Sequence, residues 1–335
     1  MLLNPTGSKL PRPAGTVPLT WMVVIVLIVA GAGIALTAVL VTPSTSTPGS
    51  VTVTDDLGRT VQVPYDPARV VVLGPSIVDL LFRLGLRSHI VGVDCYAAVD
   101  GGLTSDYSGD QVALWNLSSA MCVQVAPEFV PSMLANLTPQ LILAATIVST
   151  AEVEQVAMEL GVPALILQPP TLSGILVDSS LVGEIFGVGA RADALNAQLA
   201  VALYNATNVT DNAGNLPTVL LTYDADASGY YTFGPGTFGQ SLLEITGASS
   251  ISANASTPWP ELSPAQVLAA NPQWIVYGTG FGLTESTYAS APAWSQLAAV
   301  QNGSVTGIDS NWLTEPDPTM ILDGLPALLA VFHPA

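Results

Sequence analysis

Two α/β halves joined by a helical connector, behind one N-terminal transmembrane helix, are the fold that the sequence predicts. Three observations carry it. Short β-branched runs alternate with helical patterns before residue 170 and again after 211. Between these halves, apolar residues recur at helical spacing with no proline. Finally, the run at 19–41 (LTWMVVIVLIVAGAGIALTAVLV) holds no charged residue and exceeds the roughly 20 residues that span a bilayer.

The elements follow in order. Residues 1–18 carry Lys9 and Arg12, and no further cation appears until Arg59, which places the N-terminus in the cytoplasm. A cleaved signal peptide competes with an anchor for 19–41, but its apolar core is usually only about 7–15 residues. Residues 42–50 (TPSTSTPGS) read as a polar, flexible tether. The first lobe, 51–170, shows strands at 51–54, 61–63, 70–73, 90–93, 141–144 and 164–167, with helices at 77–84 and 151–160, the latter stopped by Gly161. The connector, 171–210, places Leu176, Leu181, Ile185, Val188, Leu195, Leu199 and Leu203 on the pattern of one long helix, bent near Gly187 and Gly189. The second lobe, 211–335, shows a strand at 219–223, a Gly/aromatic loop at 229–239, a helix at 240–245, strands at 274–277 and 305–308, and a last helix at 319–331.

Charge narrows the function. Asp, Glu, Lys and Arg make up 10% of the chain, against about 25% in ordinary soluble domains. The formal net charge is −18, and no lysine follows Lys9. A surface so poor in cations does not bind nucleic acid or anionic lipid, both of which need clustered Lys and Arg. Low basic content also suits an acidic medium: below about pH 4 the carboxylates neutralise, leaving only about +7 past the apolar run. The acidity by itself reflects the medium and names no partner.

An outside location agrees with two further features. Asn116, Asn136, Asn205, Asn208, Asn254 and Asn302 each begin an N-x-S/T sequon. Cys95 and Cys122 are the only cysteines; in an oxidising compartment a bridge is favoured over two thiols, and a two-cysteine metal site lacks nearby histidines.

Catalytic patterns are absent. There is no G-x-S-x-G elbow, H-E-x-x-H, C-x-x-C or phosphate loop. The two histidines, His89 at a strand entrance and His333 near the end, make no base set. Aromatic residues instead collect in the expected loops: Tyr96, Trp115, Tyr230, Tyr231, Phe233, Trp259, Phe281 and Trp312. Loops at the carboxyl ends of parallel strands are where α/β sheets bind ligand, and aromatic rings there offer contact at small entropic cost.

Ordered motifs then carry a resemblance. Asp56-Leu57-Gly58-Arg59, Arg69-Val70-Val71, Pro75-Ser76, Leu84-Gly85, Ile90-Val91-Gly92-Val93, Leu137-Thr138-Pro139, Tyr231-Thr232-Phe233-Gly234-Pro235-Gly236, Trp259-Pro260 and Asn271-Pro272-Gln273-Trp274 stand in sequence over nearly everything from residue 51 onward. In this they resemble the cobalamin and ferric-siderophore periplasmic binding proteins of ABC-type importers. The resemblance implies two Rossmann-like lobes with parallel sheets bridged by a long rigid α-helix, a ligand held between them, delivery to a permease with a cytoplasmic ATPase, and no enzymatic activity. Candidate ligand contacts are Ser76, Tyr96, Tyr231, Phe233, Trp259 and Trp312.

Two departures modify that expectation. The family's permease-docking glutamates would fall at Ser132 and Ala265, neither of them acidic, and Glu128 and Glu261 four residues earlier are the candidates to replace them. Siderophore binders commonly carry arginines near 311–319, where this chain has Asn311, Glu315 and Thr319. The expected ligand is therefore a corrinoid or another bulky, weakly charged metal complex, with no resident metal or cofactor. A cell-surface sensor or envelope protein that keeps the fold without a permease is the second reading.

Overall fold

The computed structural model describes residues 23–30, 33–40, 49–94, 122–123, 131–146, 149–211, 216–226, 229–279, 283–289 and 294–334. The chain divides into two compact units, Met1–Thr45 and Ser46–Ala335.

In the first unit strand β1 (Val23–Ala30) pairs antiparallel with β2 (Gly33–Leu40), Ala30 facing Gly33. This departs from the helix expected over 19–41. Val and Ile are stiff at χ1 and favour strands, and the glycines at 31 and 33 weaken a continuous helix. Among the described residues no helix is long and apolar enough to cross a membrane.

The second unit holds both lobes. It opens on a hairpin of β3 (Ser50–Thr54) and β4 (Thr60–Pro64). The Asp56-Leu57-Gly58-Arg59 motif is its turn: Asp55 Oδ1 accepts from the N–H of Leu57 and Arg59 at 3.2 and 3.0 Å, and Gly58 takes the positive φ of 74°. The first lobe proper is a five-stranded parallel sheet ordered β7 (Cys122–Val123), β6 (Ile90–Asp94), β5 (Val70–Leu73), β8 (Leu141–Ala144) and β9 (Ala164–Ile166). Strands β5 and β8 are buried at every position, as expected of central strands covered by helices on both faces. These helices are α1 (Pro75–Arg83), α2 (Pro131–Leu137) and α3 (Thr150–Leu160). Helix α3 starts at a Ser149 cap and, as its sequence predicts, ends at Gly161, here with φ 64°.

The connector is not one helix. Helix α4 (Leu172–Ile185) stops before Gly187, whose φ of 64° reverses the chain into α5 (Gly189–Asp211). The two helices lie antiparallel: Asn196 donates to the Leu176 carbonyl at 3.0 Å and to Ser180 Oγ at 2.8 Å. Small residues permit the close approach, since a Cβ on Gly183 would stand 2.6 Å from the Cβ of Ala192. The chain crosses between the lobes along α5. Near its start Arg191 donates to the Leu84 carbonyl of the first lobe at 2.6 Å, and near its end Thr210 packs beside Gly247 of the second.

The second lobe is a mixed sheet, where parallel sheets were expected in both lobes. Strands β10 (Thr218–Ala225), β14 (Trp274–Thr279) and β15 (Val305–Asp309) run parallel, and β12 (Ser249–Ser250) pairs at the start of β10. However, β11 (Tyr230–Thr232), inside the supposed loop, is antiparallel to β10, and β13 (Glu261–Leu262) is antiparallel to β11. The connection from β10 to β11 is too short for the crossover that a parallel neighbour requires. Helices α6 (Phe238–Ile245), α7 (Pro264–Ala270), α8 (Glu285–Ala289), α9 (Ala298–Gln301) and α10 (Asn311–Thr314) cover the sheet. The last helix opens as a π-turn, Met320–Gly324, before α11 (Leu325–Phe332), where Pro326 supplies no N–H. One apolar core, including Val70, Leu80, Leu195, Leu221, Phe233 and Leu325, runs continuously through both lobes.

Candidate functional site

In the first sheet β6 and β7 lie on one side of β5, and β8 and β9 on the other. A reversal of strand order leaves a crevice at the carboxyl ends of the strands. Gly74, which follows β5 there, has φ 148°. A Cβ on it would stand 2.6 Å from that of Ala145, just past β8, so only glycine lets these loops close. Its N–H donates to the buried Asp94 Oδ2 at 2.7 Å.

The second lobe reaches over this crevice through the segment after β15. Glu315 Oε2 accepts from the N–H of Ser76 at 3.2 Å. At the other end of α1, Arg83 donates to Asp79 Oδ2 at 2.5 Å and to Thr319 Oγ1 at 3.0 Å. Asp317 Oδ1 caps the following turn, accepting from Thr319 and Met320 N–H at 2.7 and 3.2 Å. The seam encloses about 10 Å³, lined by Ser76, Leu80, Asp178, Asp317 and their neighbours, far too little for a metal complex. It is a closed floor, and Ser76, 4% exposed, is part of it.

Carboxyl groups dominate the floor. Burial pushes the Asp317 carboxyl well above the usual range, reinforced by Asp79 and Glu315 and opposed by Arg83. Burial does the same to Asp178, reinforced by its hydrogen-bonded neighbour Asp56. The arginines do not compensate. Arg59 pairs with Asp55 and Glu154, Arg69 donates to the Leu137 and Thr138 carbonyls at 2.5 and 3.2 Å, Arg83 and Arg191 are engaged as above, and Arg87 has a partner. Residues 95–121 and 124–130 contain no Lys or Arg.

Aromatic residues gather on the second lobe. The Trp259 ring stands 6.1 Å from Tyr223, 5.7 Å from Phe233 and 5.6 Å from Phe238, centroid to centroid. Trp259 is 47% exposed and Phe233 1%. Phe233 is thus withdrawn from the surface: its ring packs where a Cβ on Gly239 would collide with it, and it forms the base on which Trp259 rests. Tyr231 is half-buried, its hydroxyl donating to Asp226 Oδ2 at 3.0 Å. The Gly234 N–H donates to the Pro258 carbonyl at 2.8 Å, tying the loop after β11 to the one bearing Trp259. Trp312 is half-buried and packs on the apolar core instead of joining this cluster. Tyr96 lies outside the described residues.

Comparison with known proteins identifies this architecture. The periplasmic binding protein family matches residues 70–312. The chain belongs to that family. A cobalamin-binding protein of Halobacterium salinarum is 25% identical over 295 residues, covering 84% of this chain and 74% of the relative. The vitamin B12-binding protein of Vibrio cholerae superposes with a TM-score of 0.65 at 20% identity, covering 80% of this chain and 97% of that one. A periplasmic heme-binding protein from Roseiflexus superposes at 0.66 and 21% identity, covering 79% and 97%. The chain is accordingly a solute-binding protein of ABC-transporter type and not an enzyme.

On this periplasmic binding protein Ser132, Ala265 and Glu261 are exposed. Ser132 and Ala265 sit in the first turns of α2 and α7. Glu261, exposed on β13 opposite Tyr231, lines an open groove of about 470 Å³ with Asn254, Thr257, Pro260 and Gln266. Glu128 lies outside the described residues. Cys122, the only described cysteine, is half-buried on β7 and is not a free thiol; its expected partner, Cys95, is outside the described residues. Sequence reasoning missed the floor carboxyls Asp178 and Asp317 and the Glu315 contact. The one available signal was that Glu315 replaces the arginine common at that segment in siderophore binders.

Proposed function

We propose that this protein captures a bulky, weakly charged metal complex, a corrinoid in preference to an anionic ferric chelate, on the outer face of a membrane for an ABC importer. One observation carries the reading: Trp259 is nearly half exposed on an aromatic base in the second lobe, and the two lobes offer no unengaged arginine among the described residues. An aromatic platform without cations suits a large, flat, nearly neutral ligand and disfavours a polyanion. The cobalamin-binding relative supports the same class.

Calorimetry of the full chain against cyanocobalamin, hemin and ferric citrate tests this. Cyanocobalamin is expected to bind, and Trp259→Ala to weaken it by about 1–3 kcal/mol. Binding of ferric citrate alone overturns the ligand class, and an unchanged affinity in the variant overturns the role of Trp259.

The remaining parts of the proposal concern location and delivery. The apolar run 19–41 anchors the chain as a helix once in lipid, because a lone two-stranded ribbon leaves edge N–H and C=O groups that hydrocarbon cannot satisfy. Asn136, Asn205, Asn208, Asn254 and Asn302, all exposed, are glycan acceptors. Glu128 and Glu261 meet the permease in place of acidic residues at Ser132 and Ala265. A sensor or envelope role is the second reading, favoured by those same exposed, uncharged positions; transport by the full chain with its permease separates the two.

A further inference from the structure

Helix α1 enters the crevice with its amino end, and three of its features are unusual together. Its N-cap is Gly74, which has no side chain to cap it. Pro75 has no N–H, and the N–H groups of Ile77 and Val78 turn back to the Gly74 carbonyl at 3.1 and 3.3 Å. The N–H of Ser76 is therefore the donor that the first turn leaves open, and Glu315 takes it from the opposite lobe. Beside it, the Ser76 hydroxyl is buried and has no hydrogen-bond partner, and the same is true of Asp317 Oδ2 across the seam.

A helix amino terminus with an open N–H and a waiting hydroxyl is a ready receptor for a carboxylate or phosphate. Here the protein supplies that anion itself, on top of Asp94, which already accepts from Gly74. We infer that Glu315 is a specificity-determining residue: its carboxylate occupies the anion-accepting end of α1, so the cleft floor refuses anionic groups and takes neutral or cationic ligand faces. This rests on the solute-binding reading and deepens it. A ligand carboxylate arriving at α1 meets the Glu315 carboxylate already bound to the Ser76 N–H, and like charges brought together are strongly disfavoured.

The test uses the full chain, with acetate and inorganic phosphate as probes, and compares it with Glu315→Ala and Glu315→Gln. Thermal denaturation in acetate or phosphate is read against chloride at equal ionic strength. Glu315→Ala opens the receptor, so both anions raise its Tm, and calorimetry shows phosphate binding at least about tenfold tighter than to the natural chain. Glu315→Gln keeps an amide oxygen for Ser76, folds as the natural chain does, and gains less. Equal response of all three proteins to acetate and phosphate overturns the assignment, as does phosphate binding by the natural chain as tight as by Glu315→Ala. The outcome is independent of cyanocobalamin binding, so failure of the ligand proposal and failure of this one are told apart.

Discussion

Stability should fall as the medium moves from acid towards neutral, and Asp178 should be a principal cause. This residue is 5% exposed, hydrogen-bonded to Asp56, and its folded-state pKa is raised well above the ordinary value by burial and by Asp56. In the unfolded chain an aspartate titrates near about 3.9. Between that value and the raised folded one, the native state holds a proton that the unfolded state has lost, so each pH unit of rise removes about 1.4 kcal/mol per such group. The contribution is complete below the unfolded pKa and is lost as pH rises through the folded one. Asp317 adds a parallel effect. Asp55 works in the opposite sense: although burial pushes its carboxyl up, the Arg59 side chain and the backbone N–H groups of Arg59 and Ile166 bring it below the usual range, so its stabilisation is lost as pH falls. Asp178→Asn imitates the protonated acid at every pH. Urea unfolding of the full chain, followed by tryptophan fluorescence from about pH 3.5 to about pH 7, should give the variant a flatter pH profile and greater stability at neutral pH. An identical slope in both proteins would show that Asp178 is not the titrating group.

Three further outcomes are expected. Phe233→Ala empties the base under Trp259 and should cost about 3–5 kcal/mol, whereas Trp259→Ala, at an exposed ring, should cost under about 1 kcal/mol; denaturant midpoints compare them, and equal losses would refute the layering of the cluster. A bridge from Cys122 to Cys95 would close a loop worth about 3–4 kcal/mol, so reduction should lower the Tm at acid and neutral pH alike; two alkylatable thiols in the exported protein would remove it. Reversing charge at Glu128 and Glu261 together should abolish delivery to the permease and leave cyanocobalamin affinity alone, and transport that survives would place the docking contact elsewhere.

The strands 70–73 and 141–144 were legible because a strand buried on both faces must be a continuous apolar run, and the end of α3 at Gly161 because a left-handed residue there is nearly always glycine. The ordered motifs likewise led to the family, since several mark turns or strand ends made by neighbours in the chain, as Asp55 and Gly58 show. The rest depended on partners far apart in sequence. The apolar spacing of the connector continues through Gly187, and only the close packing of Gly183 on Ala192 shows that the chain folds back there. Phe233 and Trp259 occupy similar Gly/Pro surroundings, yet one ring is sealed against Gly239 and the other faces outward. Glu315 meets Ser76 across 239 positions, and no local pattern encodes such a pair. Local composition specifies which segments can be strands, caps and turns. Which carboxyl loses its water, and which helix end it reaches, is set only when the two lobes close on each other.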